Sequence, residues 1–381
     1  MKILFLSAQL FVQNSGGGHL ALAHYNSICD IVGKDNVDIV AYTWGYDFSE
    51  DDLAAIIGKA NHRIIKGYDN VVQRVGNILS GRVHLSNKRL DLSILEMIRE
   101  NNYDLIFADD NTFGMLLKSI RKEFPALRII AFFHGVHRNS SVQQLKKSLK
   151  YWLKLPEYLN LMKSERISTE VADTLVSLNA RDDEEITKYY KRKSDMIIPI
   201  YLEDLPYVPK TVPDSDGIEL LFVGGYFWPN VLGVSWFVKN VMPKLDEKFR
   251  LTIVGNKMDR LREMDEFKNS RVKVHGRVED LGPYYQNAHM VVGPIFDGDG
   301  MKTKTAEALL YGKHYLGTAE ALLGYEDLLC NECNTVDDFL NAINKAAQGT
   351  EFYFEKYREL YLEKYSAQSA QAAFMKLVKG I

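Results

Sequence analysis

Little in this sequence can be held together by cysteine chemistry. Its three cysteines are Cys29, Cys330 and Cys333, and the single Cys-x-x-Cys pair is half of a zinc site. No disulfide framework is therefore expected, and a reducing cytoplasm is the expected setting. Charge of one sign is lacking too: 47 Lys and Arg against 50 Asp and Glu leave a net −3. That balance gives no field to hold a polyanion and excludes a dedicated nucleic-acid binder. No apolar run approaches the ~20 residues of a membrane span. The opening MKILFL flows toward glycines rather than a small-residue cleavage site, so no signal peptide is expected. Prolines are few, and Pro199, Pro206, Pro209 and Pro213 crowd one stretch, which reads as a linker. No internal repeat or low-complexity tract is visible. A chain of 381 residues is long for one core and comfortable for two.

What the chain does contain is alternation. Short apolar runs suited to buried parallel strands fall at 2–6, 37–42, 103–108, 127–133, 173–179 and 196–200. A second series falls at 219–223, 250–254, 272–275, 288–292 and 315–318. Helical periodicity lies between them, most plainly over 20–32, 180–190 and 231–242, where Val234, Phe237, Val238 and Val241 mark a buried face. Trp236 shares that helix and is expected to pack. Strand–helix alternation of this kind predicts α/β architecture with parallel sheets. In such sheets the residues just past the strand C-termini carry ligand chemistry.

The stretch Gly293–Thr318, GPIFDGDGMKTKTAEALLYGKHYLGT, is the richest of these junctions. A strand runs into the glycine-punctuated loop Gly298-Asp299-Gly300 and then into a helix carrying Glu307. Backbone N–H groups converge at such a helix start, its dipole adds partial positive charge, and Lys302 and Lys304 add full charges. A diphosphate suits this site. Taken singly, each part has a bland reading: a common αβ loop, solvated lysines, a surface carboxylate. The run Asp297-Gly298-Asp299 also has the look of an Asp-x-Asp metal clamp, but the loop and helix start already supply positive charge. The joint spacing raises the signal, with Asp299 at the loop tip and Glu307 inside the helix.

Other junctions repeat the plan. Asn14-Ser15-Gly16-Gly17-Gly18-His19 follows the first strand, without the G-x-G-x-x-G spacing of a dinucleotide fold. Asp109-Asp110-Asn111 follows the strand at 103–108, where Asp110 and Asn111 meet an acceptor or cap the next helix, capping being the stronger reading. His134-Gly135-Val136-His137-Arg138 clusters two histidines and an arginine at a strand end. In the second half the junctions are Gly224-Gly225, then Gly255-Asn256-Lys257, then Gly276-Arg277-Val278. Also in the first half, Lys146, Lys147, Lys150 and Lys154 alternate with Leu145, Leu149, Trp152 and Leu153. The span 143–163 thus reads as a basic amphipathic helix, either lying on an anionic membrane or packing its apolar face on the domain.

Asp299, Glu307 and the run Ala308-Leu309-Leu310-Tyr311-Gly312 resemble the donor-site signature of glycosyltransferase family 4, retaining enzymes of the GT-B fold. The first acid is Asp where Glu is commoner. The run from Gly224-Gly225 to Pro229-Asn230 resembles the opening of the donor domain in bacterial members. The resemblance covers most of 217–330 and rests on strand ends before that. It implies two doubly wound Rossmann-like domains facing across a cleft: an acceptor-side domain over 1–205, a linker over 206–217, a donor domain over 218–355, and a helix over 356–381 that crosses back.

The resemblance also implies the roles. His134, Asp299 and Lys302 would be catalytic. Gly16, Gly17, Gly18, Gly224, Gly225, Lys257, Gly276, Arg277, Val278, Gly300, Met301, Thr303 and Glu307 would bind the donor, Glu307 through the ribose and 276–278 through the base. Asp110, Asn111, His137 and Arg138 are the acceptor-side candidates. No cofactor and no metal is expected, the nucleotide-sugar being a co-substrate. The partners expected are that donor, most readily a UDP-sugar, a glycan or lipid-linked acceptor, and the inner membrane face through 143–163. The implied reaction is sugar transfer with retention, in polysaccharide or glycoconjugate synthesis. Two other readings stay open on the same fold: a sugar-nucleotide 2-epimerase, and a non-catalytic partner that stabilises another transferase.

Overall fold

In the computed structural model, residues 1–10, 16–43, 54, 57, 62–66, 71–83, 88–147, 149–205, 217–349 and 352–380 are described. The expected linker lies outside them apart from Gly217. The chain divides into two units. The first comprises Met1–Gln13, Gly17–Pro199 and Gln371–Ile381; the second comprises Asn14–Gly16 and Ile200–Ala370.

The first unit is built on a seven-stranded sheet in the order β3-β2-β1-β4-β5-β6-β7. Its strands are β1 (Ile3–Ser7), β2 (Val37–Thr43), β3 (His62–Lys66), β4 (Leu105–Asp109), β5 (Arg128–Phe133), β6 (Thr174–Ser177) and β7 (Met196–Ile197). Every recorded pairing is parallel. Its helices are α1 (Gly16–Val32), α2 (Val71–Leu79), α3 (Lys88–Glu100), α4 (Gly114–Glu123), α5 (His137–Lys147), α6 (Leu155–Val171) and α7 (Ala180–Tyr190). Side-chain alternation sends Leu4, Leu6, Ile106, Ala108, Ile129 and Ala131 into one core with Ile94 of α3 and Leu117 of α4. Phe5, Phe107 and Phe132 fill the opposite face with His24 and Tyr25 of α1. Both faces are covered, which is why these strands read as unbroken apolar runs.

The second unit carries a five-stranded parallel sheet, β10-β9-β8-β11-β12. Its strands are β8 (Ile218–Val223), β9 (Phe249–Val254), β10 (Val272–His275), β11 (Met290–Gly293) and β12 (His314–Gly317). Its helices are α8 (Trp228–Asn240), α9 (Gly282–Asn287), α10 (Thr303–Leu310), α11 (Val336–Ala346) and α12 (Glu355–Lys364). The last helix, α13 (Ala367–Lys379), starts in this unit. Trp236 packs edge-on against Phe296, as a packing role requires. In both sheets the strand order reverses once, between β1 and β4 and between β8 and β11. Those are the switch points where open α/β sheets bind ligands.

Several expectations are corrected. The glycines Gly16, Gly17 and Gly18 form the first turn of α1 instead of a loop before it. A side chain on Gly17 would press on Gln9 Oε1 at 3.0 Å, so glycine permits the helix to start there. The span 143–163 is not one helix. α5 ends at Lys147, a 3₁₀ segment covers Leu149–Lys154, and α6 restarts with Pro156 in its first turn. Proline lacks the N–H that a continuous helix would need and suits a helix start. The tail over 356–381 is two helices, broken where Ser366 Oγ accepts the Ser369 N–H at 3.1 Å as an N-cap. The elements β3, α2 and α3 were not among those expected, although α2 and α3 carry amphipathic helical periodicity.

Residues 371–380 are integral to the first unit. Phe374 stacks against Phe107 and Phe132, with ring centroids 6.2 and 6.4 Å away. Arg128 donates to the carbonyls of Leu377 (2.7 Å) and Val378 (2.8 Å), closing the C-terminus of α13 with a cation. Phe374→Ala should therefore destabilise the first unit by about 3–5 kcal/mol. Urea unfolding of the variant should show its transition displaced; a loss below about 1 kcal/mol would mean the aromatic layer does not depend on α13.

Candidate functional site

In the second unit, three strand ends are knitted by their backbones. The N–H of Gly224 donates to Val254 O (3.0 Å), that of Tyr226 to Asn256 O (2.8 Å), and that of Gly255 to Gly276 O (3.2 Å). Gly255 has φ +155° and lies so close to the first loop that a Cβ would meet Gly224 O at 1.9 Å. No other residue fits there. Next in line, Lys257 is exposed and left-handed at φ 60°, an unusual conformation for a lysine at a strand end.

Beneath this knit sits Lys304, from the first turn of α10. Its Nζ donates to Asn230 Oδ1 at 2.6 Å and lies 4.7 Å from the centre of the Phe222 ring. Asn230 in turn donates Nδ2 to Gly225 O at 2.9 Å. Burial, with Lys302 adding repulsion, lowers the ammonium pKa to about 7, although Glu307 pulls the other way. A buried cation thus waits at the carboxyl edge of β8, beside a helix whose start has no side-chain cap. The orphan N–H groups of such a turn attract an anion.

Lys302 behaves differently from Lys304. Its Nζ donates to Glu320 Oε1 (2.8 Å) and to Gly300 O (2.7 Å), and Tyr325 donates to its carbonyl at 2.8 Å. These contacts brace the loop around Gly300, itself left-handed at φ 59°. Asp299 contributes its carbonyl to the same ammonium at 3.4 Å. Met301 is buried, and Thr303 opens α10. Glu307 lies one turn further along the helix, where Tyr285 donates to its Oε2 at 2.7 Å. Tyr285 is fully buried and stacks parallel on Tyr311 at 4.8 Å, so the carboxylate is aimed by a rigid phenol. Arg277 is exposed and Val278 partly exposed past β10, and a Cβ on Gly276 would meet Asp259 Oδ1 at 2.8 Å.

The first unit gathers a different set at its own switch point. β1 ends at Ser7, level with Asp109 at the end of β4. Asp109 Oδ1 meets His24 Nδ1 at 2.6 Å and His134 Nε2 at 2.9 Å, while Ser7 Oγ approaches Oδ2 at 3.4 Å. Burial alone would raise Asp109, but the two imidazoles outweigh it and hold the carboxyl below its usual range. Burial likewise lowers His24. For His134 burial is outweighed by Asp109 and Asp110, and the net shift is upward. The three side chains present ligand atoms within 4.8 Å of one another, close enough to suggest a metal cage. Ligand atoms around a tetrahedral ion with bonds of about 2.0 Å stand roughly 3.3 Å apart. The 2.6 and 2.9 Å separations are those of charge-assisted hydrogen bonds instead.

The acceptor-side candidates are each held by protein partners. Asp110 Oδ1 accepts the Thr112 N–H at 2.8 Å, which is the capping role. Asn111 is fully buried, with Nδ2 on Gly135 O (2.7 Å) and Glu165 Oε1 (2.8 Å). His137 binds the same Glu165 through its backbone and Nδ1. Arg138 lies over the Tyr189 ring at 4.6 Å. Sequence reasoning counted Lys304 only as a nearby charge, and it missed Asn230, Tyr285 and His24 as site residues. The Lys304–Glu307 spacing of one helical turn was a usable signal; the tyrosine and histidine partners come from distant segments.

Residues 217–348 match the family model described as glycosyl transferases group 1. No curated protein matches the chain in sequence. Among solved structures, it is similar to HepE from Anabaena in complex with UDP and glucose, at 13% identity and TM-score 0.70, with all of both chains covered. It is similar to the lipopolysaccharide outer core galactosyltransferase WaaB, at 13% identity and TM-score 0.69, over 100% of this chain and 99% of that one. WaaG, a glycosyltransferase involved in lipopolysaccharide biosynthesis, aligns at 14% identity and TM-score 0.68 over the whole of both chains. Two Rossmann-like units, each with a parallel sheet and shared over the full length with those proteins, make this a protein of the GT-B fold whose second unit carries the group 1 glycosyltransferase pattern.

Proposed function

We propose that the protein is a retaining glycosyltransferase that moves a hexose from a nucleotide-sugar, a UDP-sugar by preference, to a hydroxyl of a glycan or lipid-linked acceptor. The observation that carries this reading is the buried Lys304 at the Gly225–Asn230 turn, one helical turn from a Glu307 aimed by Tyr285. One group suits a diphosphate and the other a ribose diol. As the glycosidic bond breaks, negative charge grows on the leaving diphosphate. A cation and N–H dipoles already fixed in a dry site stabilise that charge without reorganising. Lys302 contributes by holding the loop, and Lys257 by its exposed charge. The first unit would take the acceptor. UDP as the nucleotide is supported by the Anabaena structure, which contains it.

The acceptor's class is supported by the broken helical region over 143–163. Leu149 and Leu153 are 86% and 87% exposed and Trp152 is 55% exposed, with Lys146 and Lys154 exposed beside them. Among the described residues no helix is long and apolar enough to cross a membrane. An apolar tip with basic neighbours suits surface contact with anionic lipid, where a lipid-linked acceptor would be found.

Three outcomes test this reading. In a calorimetric and thermal-shift panel of UDP, GDP, dTDP and CDP, UDP should bind best and, at a hundredfold excess over its Kd, stabilise by about 2.7 kcal/mol. Glu307→Gln should weaken UDP by about tenfold to a hundredfold through the ribose contact; unchanged affinity would remove Glu307 from the site. Lys304 should take up a proton when UDP binds, because the diphosphate stabilises the ammonium. With a free-site pKa of about 7, uptake near pH 7 should be about half a proton, vanishing at lower pH where the lysine is already charged. Calorimetry in buffers of different ionisation enthalpy reads this directly, and Lys304→Met should abolish it.

Membrane contact is tested separately. The protein should float with vesicles containing phosphatidylglycerol, and the Leu149→Glu, Leu153→Glu variant should not. Failure of the unmodified protein to float would exclude the lipid surface.

A further inference from the structure

We infer that Asp109 is a positioning residue for His134, clamping the imidazole through Nε2 so that Nδ1 is the atom that donates to a substrate oxygen, with His24 holding the carboxylate from behind. The inference rests on the glycosyl-transfer reading and deepens it.

The geometry is specific. Asp109 ends β4 at the switch point of the first sheet, fully buried, and one carboxylate oxygen serves both imidazoles. A carboxylate accepts hydrogen bonds but donates none, so each ring nitrogen facing it must carry its proton. His134 therefore holds hydrogen on Nε2. His24 fixes the other side of the carboxylate. Its ring is fully buried between Phe132 (4.2 Å) and Phe374 (5.2 Å), which leaves it no room to swing. Ser7 Oγ steadies the second oxygen. Among the described residues none meets His134 Nδ1, and that side chain is partly open to solvent.

Protonation follows from the surroundings. The charged and titratable groups facing His134 are Asp109 and Asp110 from the end of β4, His24 from α1 and His137 from α5. The two carboxylates favour the imidazolium. The two histidines oppose it, and His24 is itself pushed toward neutrality by burial. One net positive charge is therefore best placed on His134. In that form Nδ1 carries a proton and can only donate. A neutral ring with Nε2–H would leave Nδ1 bare and able only to accept. The clamp thus selects a charged donor, useful where a substrate oxygen gains electron density, and useless as a general base.

Asp109→Asn tests this, because the amide keeps the shape and can still accept from Nε2 while removing the charge. In protein labelled with 15N-histidine, with His134→Gln identifying the resonance, the His134 ring should titrate above the usual 6.5 in the unmodified protein. In Asp109→Asn its midpoint should fall by at least one pH unit. The sign carries over to kinetics. A donor that works charged loses activity as pH rises through its pKa, so the basic limb of kcat should move to lower pH in the variant by the same amount. KM for the nucleotide-sugar should change less than twofold, and kcat at neutral pH should fall on the order of tenfold or more. An unshifted His134 titration overturns the clamp whatever the enzyme turns over. So does a neutral-form spectrum of the unmodified protein with the proton on Nδ1, which needs no variant to fold. A shifted titration in a protein that transfers no sugar from any nucleotide leaves the clamp standing and overturns the transferase reading.

Discussion

A carbonyl oxygen occupies the space that any side chain at position 255 would need. From that close approach the donor-side architecture follows. Because Gly255 can sit against Gly224, the ends of β8, β9 and β10 share hydrogen bonds and form one rigid edge. Because that edge is closed, Lys304 beneath it is cut off from water and becomes a cation that is easily neutralised. On the proposed reading, a diphosphate arriving there would complete the protonation of a group that is only half charged near pH 7. The same physics holds the buried ammonium's cost down while the site is empty, since an unpaired charge in a dry interior is expensive.

The two units use the same topology for opposite electrostatics. At the switch point of the second sheet the buried charge is a lysine, and at that of the first it is the carboxylate of Asp109 between two imidazoles. In each case the first contact is supported by a neighbour that cannot move: Tyr285 stacked on Tyr311 behind Glu307, His24 wedged among phenylalanines behind Asp109. The geometry of both candidate sites is thus set by aromatic packing as much as by the polar groups themselves.

Much of this was legible in the sequence, and for a physical reason. Buried parallel strands must be apolar on both faces, so runs such as LIFA and RIIAFF stand out, and the residues just after them name the site. That logic singled out Asp299, Glu307, His134 and the glycine turns as candidates. It failed where the decisive term is tertiary. The helix signal of 143–163 overlooked what Pro156 does to a continuous backbone. Asn111 and His137 look like ligand groups at strand ends, yet Glu165, more than twenty residues on, turns them inward. Lys302 and Lys304 look equivalent in sequence; only the placement of Glu320 and Asn230 separates a loop brace from a buried cation.

The return of Gln371–Ile381 to the first unit has a consequence for how the protein is made. On the ribosome, the strands of the first sheet emerge early, but the layer containing Phe107 and Phe132, covered by α1 alone, lacks its last ring until Phe374 has been synthesised. The whole second unit is translated in the interval and can close first, since nearly all its contacts lie within 200–370. Folding order would then run against chain order. The earlier-born half would wait with a partly exposed aromatic face, the kind of surface that chaperones hold and that aggregation exploits.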